Sequence, residues 1–180
     1  MVKFIVFCIC MWGHLFGMSL TKSISEIKAD DIDYNGKKIC LAGSVRIDHH
    51  LGMLHCDKAE LVLLDGHKEV KNAGPAPTSA PERIILQHNV QLEMKNGSSL
   101  VADHADINCL ELEGVFTAAL PHKVVYTTYL EEEGKRVPVI TSSQTMRIKM
   151  KKDEKTAQYV LSDIQGEGAV TIEYQAGAKT

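Results

Sequence analysis

Residues 26–64 read EIKADDIDYNGKKICLAGSVRIDHHLGMLHCDKAELVLL. Apolar side chains alternate with polar ones through Ile27 and Ala29, Ile39 and Leu41, Val45 and Ile47, and Leu54 and Cys56. That period of two belongs to half-buried β-strands. Polar breaks at Asn35-Gly36-Lys37-Lys38 and around 49–52 separate the runs. Two modules sit inside. The first is a small residue, two polar residues and an apolar one: Ala29-Asp30-Asp31-Ile32, and again Cys56-Asp57-Lys58-Ala59. The second is Leu41-Ala42-Gly43-Ser44-Val45-Arg46-Ile47.

Both modules return. The first recurs as Ala102-Asp103-His104-Ala105 and, more loosely, as Ser143-Gln144-Thr145-Met146. The second recurs as Leu86-Gln87-His88-Asn89-Val90-Gln91-Leu92, at Leu120-Pro121-His122-Lys123-Val124, and as Gly168-Ala169-Val170-Thr171-Ile172. They alternate strictly along the chain, which argues for stacked copies of one supersecondary unit. The first module carries a step of three residues between its core positions. Side chains on a strand change face at every residue, so a regular strand would misplace the second of them. Either a β-bulge restores the face, or one strand ends and the next begins at a corner. Corrected for that step, the inward set is Ile27, Ile32, Ile39, Leu41, Val45, Ile47, Leu54, Ala59 and Leu61. It continues with Val90, Leu92, Leu100, Ala102, Ala105, Ile107, Met146 and Ile148.

At 180 residues, 44% hydrophobic and 24% charged, the chain can bury a core in one domain. Its net charge of −3 gives no support for a nucleic-acid partner. The N-terminus differs in kind. Lys3 precedes an apolar run from Phe4 to Leu20 that fits a secretory signal peptide over 1–23, with cleavage between Gly17 and Ser23. A retained membrane anchor is the alternative, since the run is close to the roughly 20 residues of a spanning helix. Residues 24–180 then form the exported domain, with Cys40, Cys56 and Cys109. Cys56 takes a small core position and Cys40 points outward. All three read as structural, with room for a single bridge.

Residues 66–83, with three prolines, are expected to form a long loop. Lys95-Asn96-Gly97-Ser98 has the chemistry of a hairpin turn. Turns are also expected at 131–135 and within 149–155, with strands resuming at 158–161 and 170–174 and a frayed tail at 175–180. Beyond the export segment no stretch has a helical period. A dozen short strands imply an all-β sandwich, barrel or jelly-roll.

The candidates for chemistry are weak. His49, His50 and His55 lie near Glu60, but adjacent histidines on a strand face opposite ways and cannot form a His-x-His metal pair. They read as solvated turn residues, and no metal or other cofactor is expected. There is no Gly-x-Ser-x-Gly elbow, phosphate loop or Cys-x-x-Cys, so no catalytic residue is assigned.

The modules IKADDIDY, LAGSVRI, LHCDKAEL, LQHNVQL, LVADHADI and GAVTI resemble those of the OstA-like (LptA) family of lipopolysaccharide-transport proteins. The resemblance spans about residues 26–174, and the order of the modules is its specific part. Cys56 stands where alanine is usual, His88 and His122 where glycine is, and 66–83 is rich in proline. The resemblance implies a rolled, slightly twisted β-jelly-roll of repeated antiparallel strands. It also implies a periplasmic role in carrying lipopolysaccharide from inner to outer membrane. The groove would be lined by Ile27, Ile32, Ile39, Leu41, Val45, Ile47, Leu54, Leu61, Val90, Leu92, Leu100, Ile107, Met146 and Ile148. Its partners would be lipid A acyl chains, the inner- and outer-membrane transport jelly-rolls, and further copies head to tail. Two alternatives stand beside it: an inner-membrane-anchored acceptor of the LptC type, and an exported structural repeat without ligand.

Overall fold

The computed structural model describes residues 24–49, 52–63, 81–152 and 159–174. The expected signal segment, most of the proline-rich stretch, His50, Leu51, the turn after Lys152 and the tail lie outside them. Twelve strands follow in chain order: β1 (Ile24–Lys28), β2 (Asp31–Tyr34), β3 (Lys38–His49), β4 (Gly52–Leu63), β5 (Pro81–Met94), β6 (Ser99–Asn108), β7 (Glu113–Thr117), β8 (Val124–Glu132), β9 (Lys135–Ser143), β10 (Thr145–Lys152), β11 (Tyr159–Glu167) and β12 (Thr171–Tyr174). The architecture is all-β and every ladder is antiparallel. Among the described residues no helix is long and apolar enough to cross a membrane.

The ladders divide the sheet into two halves. One half holds β2, the 38–42 part of β3, the 58–63 part of β4, the 81–87 part of β5, the 104–108 part of β6, then β7, β10 and β11. The other holds β1, the remaining parts of β3 to β6, then β8, β9 and β12. Each chain segment crosses from one half to the other once. The sheet is therefore a stack of eight bent layers: β1/β2, β3, β4, β5, β6, β7/β8, β9/β10 and β11/β12. Among the described residues no ladder joins the first layer to the last, so their sheet is not closed into a barrel.

Every crossing falls on a sequence module. Pairing shifts register between Ala42 and Val45, between His55 and Lys58, and between Gln87 and Val90, which are bulges. In the first layer and in the last three the module instead separates two strands. Bulge and corner are thus both in use. Gly43 and Ser44 take φ of 71° and 44°, and His88 and Asn89, at the equivalent positions, take 62° and 52°. The repeat therefore preserves a left-handed pair even without glycine, at a cost of about 1–2 kcal/mol per non-glycine residue. The copy at His122 has no left-handed residue and forms a turn between β7 and β8.

A polar ladder along the crossings ties neighbouring layers together. The Asp30 amide donates to the carbonyls of Ala42 and Gly43 at 3.1 and 3.0 Å. A Cβ on Gly43 would meet the Asp30 carboxylate at 2.5 Å, so glycine is required for that approach. Asn89 Nδ2 donates to Asp57 Oδ2 at 2.7 Å, and the Ala119 amide donates to Asp103 Oδ2 at 2.7 Å. The Gln144 side chain donates to the Ala118 carbonyl, and its Cβ lies against Gly168. The Ala119 bond, with His122 Nδ1 at 3.3 Å, holds the Asp103 carboxyl below its usual range. A depressed folded-state pKa stabilises the fold above the unfolded value, about 4, and that stabilisation is lost as pH falls through the folded value. Asp103→Asn should therefore lower the urea midpoint at pH 7, with the gap to wild type narrowing as pH falls below about 4. A gap that stayed constant with pH would assign Asp103 no such role.

The core is formed by the two inner faces. Ile47, Ile84, Leu86, Val90, Leu100, Ala105, Val124 and Met146 have no exposure at all. Fifteen of the seventeen expected inward residues are buried in one cluster. The other two differ. Ile27 is half-buried, and Ile32 is 47% exposed. Ile32 does share a face with its buried partner Leu41, but β2 is in the first layer and no described strand lies beyond it. His49 is a second correction. It is buried rather than solvated, because it extends β3 on the same face as Ile47. A third concerns residues 81–83, which belong to β5, with Pro81 buried opposite Leu63. The hairpin at Asn96-Gly97 forms as expected, with the Gly97 amide donating to the Met94 carbonyl at 2.9 Å and φ of 84°.

Candidate functional site

The register turns the inner faces into rows that cross all eight layers. One row is Ile32, Leu41, Ala59, Leu86, Ala105, Phe116, Met146 and Gly166. Beside it runs Tyr34, Ile39, Leu61, Ile84, Ile107, Gly114, Ile148 and Ile164. The other half contributes Ile27, Ile47, Leu54, Leu92, Leu100, Tyr126, Thr141 and Ile172. No charged residue interrupts any of them. At about 4.8 Å per strand gap, seven gaps give a stripe about 34 Å long.

The stripe is closed in the middle and open at both ends. In the central layers the two halves pack directly on each other. A small apolar cavity of about 30 Å³ remains between them, bounded by His49 and Leu92 on one side and Ile107, Phe116, Ile148 and Met150 on the other. At the ends, inner-face side chains are exposed: Ile32 and Tyr34 of those rows in the first layer, and in the last Ile172 at 68%, with Tyr174 beside it on the same face of β12. A recess of about 500 Å³ lies beside the first layer, bordered by Asp31, Ile32, Asp33, Cys40, Lys58 and Gln87.

The outer face of the β2 half is charged and cross-linked by ion pairs. Lys38 pairs with Glu60, Arg83 Nε donates to Asp106 Oδ1 at 2.6 Å, and Arg147 and Lys149 both reach Glu113. The guanidinium of Arg83 holds the Asp106 carboxyl below its usual range, and Arg147 does the same for Glu113. Charge outside and hydrocarbon inside fix which face is solvated.

Cys40, Cys56 and Cys109 are free thiols, so the single bridge that the sequence allowed among them is not formed. Burial pushes the Cys56 and Cys109 thiols up to about 11, which keeps them protonated and poor nucleophiles. Among the described residues no group of three His, Cys, Asp or Glu is placed to hold a metal ion.

No protein-family model and no curated protein matches the chain. The inner-face rows are thus its own strongest statement about a site. Of the residues expected to line a groove, Ile39, Leu41, Val45, Ile47, Leu54, Leu61, Val90, Leu92, Leu100, Ile107, Met146 and Ile148 come together in the buried interior. Ile27 and Ile32 lie at its first end. Tyr34, Ile84, Leu86, Phe116 and Tyr126 belong to the rows but stood outside the expected set. Ile84 and Leu86 carried a readable signal, since they alternate with Ile85 in step with the second module. Phe116 did not, because β7 is only five residues long and follows a turn.

Proposed function

We propose that this chain is an OstA-like carrier in the periplasm, in which the inner face of the roll conducts the acyl chains of lipopolysaccharide between the membranes. The observation that supports it most is the apolar stripe that ends exposed in both terminal layers rather than being capped by polar residues. Burying a methylene is worth about 0.8 kcal/mol, so a fourteen-carbon chain left in water costs on the order of 10 kcal/mol. A lipid with several such chains needs a continuous apolar path, and free strand edges let neighbouring jelly-rolls extend that path by strand addition. Because the central layers are packed, passage requires the two halves to part on the side away from their crossings.

That dense centre favours a second reading, an exported structural repeat whose interior is only a core. Photo-crosslinking in cells separates the two. Probes at Leu54, Leu86 and Ile172 should all capture lipopolysaccharide, while probes at the outward-facing Arg46 and Gln165 should not. Capture at Ile172 alone, with none at Leu54 or Leu86, would leave the structural reading standing.

A further inference from the structure

The charge on the two free edges decides what can pair with them. Among the described residues β1 and β2 pair only with β3, β11 only with β10, and β12 only with β9. The first layer runs from the β1 half to the β2 half, and the last from the β11 half to the β12 half. A second copy stacked with its halves continuous would set its β2 antiparallel to β11 and its β1 antiparallel to β12. Asp31 and Asp33, on the outer face of β2, would then approach Asp163 and Glu167, on the outer face of β11. Residues 159–174 contain Asp163, Glu167 and Glu173 and no lysine or arginine. Residues 24–34 contain a single cation, Lys28, and it already pairs with Glu26 at 3.0 Å. Of the outer-face cations on β10, Arg147 and Lys149 turn away from the edge toward Glu113, and Lys151 lies opposite Val160, at the other end of the ladder from Glu167. Like charges facing each other across a strand pair are destabilising, and opposite charges are stabilising.

We propose that the β11–β12 edge receives an extended strand of a different chain, with lysine or arginine on its outer face and apolar residues on its inner face. A second copy of this chain is excluded from the same edge by its own carboxylates. The apolar side of the incoming strand continues the row that ends at Ile172 and Tyr174, and its basic side meets Asp163, Glu167 and Glu173. The inference rests on the strand-addition part of the function proposed above, and its test involves no lipid, so the two fail separately.

The full chain in mild detergent is titrated with labelled nine-residue peptides alternating valine with lysine, serine or glutamate. The lysine peptide should bind, roughly tenfold more weakly on passing from about 0.05 to 0.5 M salt, because screening shortens the reach of exposed charges. The glutamate peptide should not bind. The triple variant D163K/E167K/E173K should reverse that order. It should also self-associate in the ultracentrifuge at concentrations where the wild type sediments as one chain, since its edge now complements Asp31 and Asp33. Equal binding of the lysine peptide to wild type and variant would overturn the proposal. Wild-type self-association as tight as the variant's would overturn it too.

Discussion

Gly52→Ala is expected to destabilise the fold by about 3 kcal/mol or more, toward the upper end for a single substitution. Gly52 opens β4 with φ of 150° and is paired on both sides, with His49 and with Met94. A Cβ there would fall inside the contact distance of the Glu93 carbonyl oxygen, with the Met94 Cα at 2.9 Å. Those are backbone atoms in the middle of the sheet and cannot swing aside as a side chain can. Relief requires the β4–β5 ladder to open at its end, beside buried Leu54 and Leu92. The melting temperature should fall by about 10 °C for a domain of this size. Gly36→Ala is the control. Gly36 also has a positive φ, at 85°, but no atom lies within 4 Å of its would-be Cβ. That variant should lose only about 1 kcal/mol. Equal melting shifts in the two proteins would show that the clash at Gly52 is absorbed without opening the ladder.

Proline in the last strand should give the largest functional effect. Thr171 and Ile172 are neighbours on β12, so their amides point to opposite edges of the strand, one toward β9 and one toward the free edge. Proline removes an amide donor and fills its place with a ring. Of Thr171→Pro and Ile172→Pro, one should loosen β12 from β9 and the other should leave that ladder intact while blocking the edge. On the carrier function proposed above, the edge-blocking variant should keep a native circular dichroism spectrum, lose cross-linking to a neighbouring jelly-roll, and lose lipopolysaccharide transport together with it. If both variants kept cross-linking and transport with native spectra, strand addition at this end would be ruled out, and with it the extension of the apolar path into a neighbouring chain.

Much of the architecture was legible because each layer repeats one local decision. The two alternating modules mark every crossing, and alternation around them assigns a face to each strand residue. Exposure was less legible, because it depends on neighbours in space. Ile32 and Leu41 face the same way, yet only Leu41 has a layer on either side. His49 looked like a turn residue because a second histidine and a glycine follow it, but the strand runs on far enough to carry it into the interior. The proline at 81 suggested a loop, although a proline that opens a strand disturbs the ladder least. For the candidate site, the apolar stripe was readable row by row. The tight closure of its centre was not, because that depends on side-chain volumes meeting across the two halves.

Contacts at the crossings join neighbouring layers: Asp30 to the backbone at Gly43, Asp57 to Asn89, Asp103 to Ala119, and Gln144 to Ala118 on one side and Gly168 on the other. Such a molecule grows in fixed steps. Inserting or deleting one module pair changes its long dimension by about 10 Å, two strand spacings, while the cross-section and the facing of every remaining side chain stay as they were. Loss of a single layer would instead reverse the chain direction at one end and separate an acidic or amide side chain from its loop. Length in this fold is therefore a countable quantity, set by the number of module pairs in the gene.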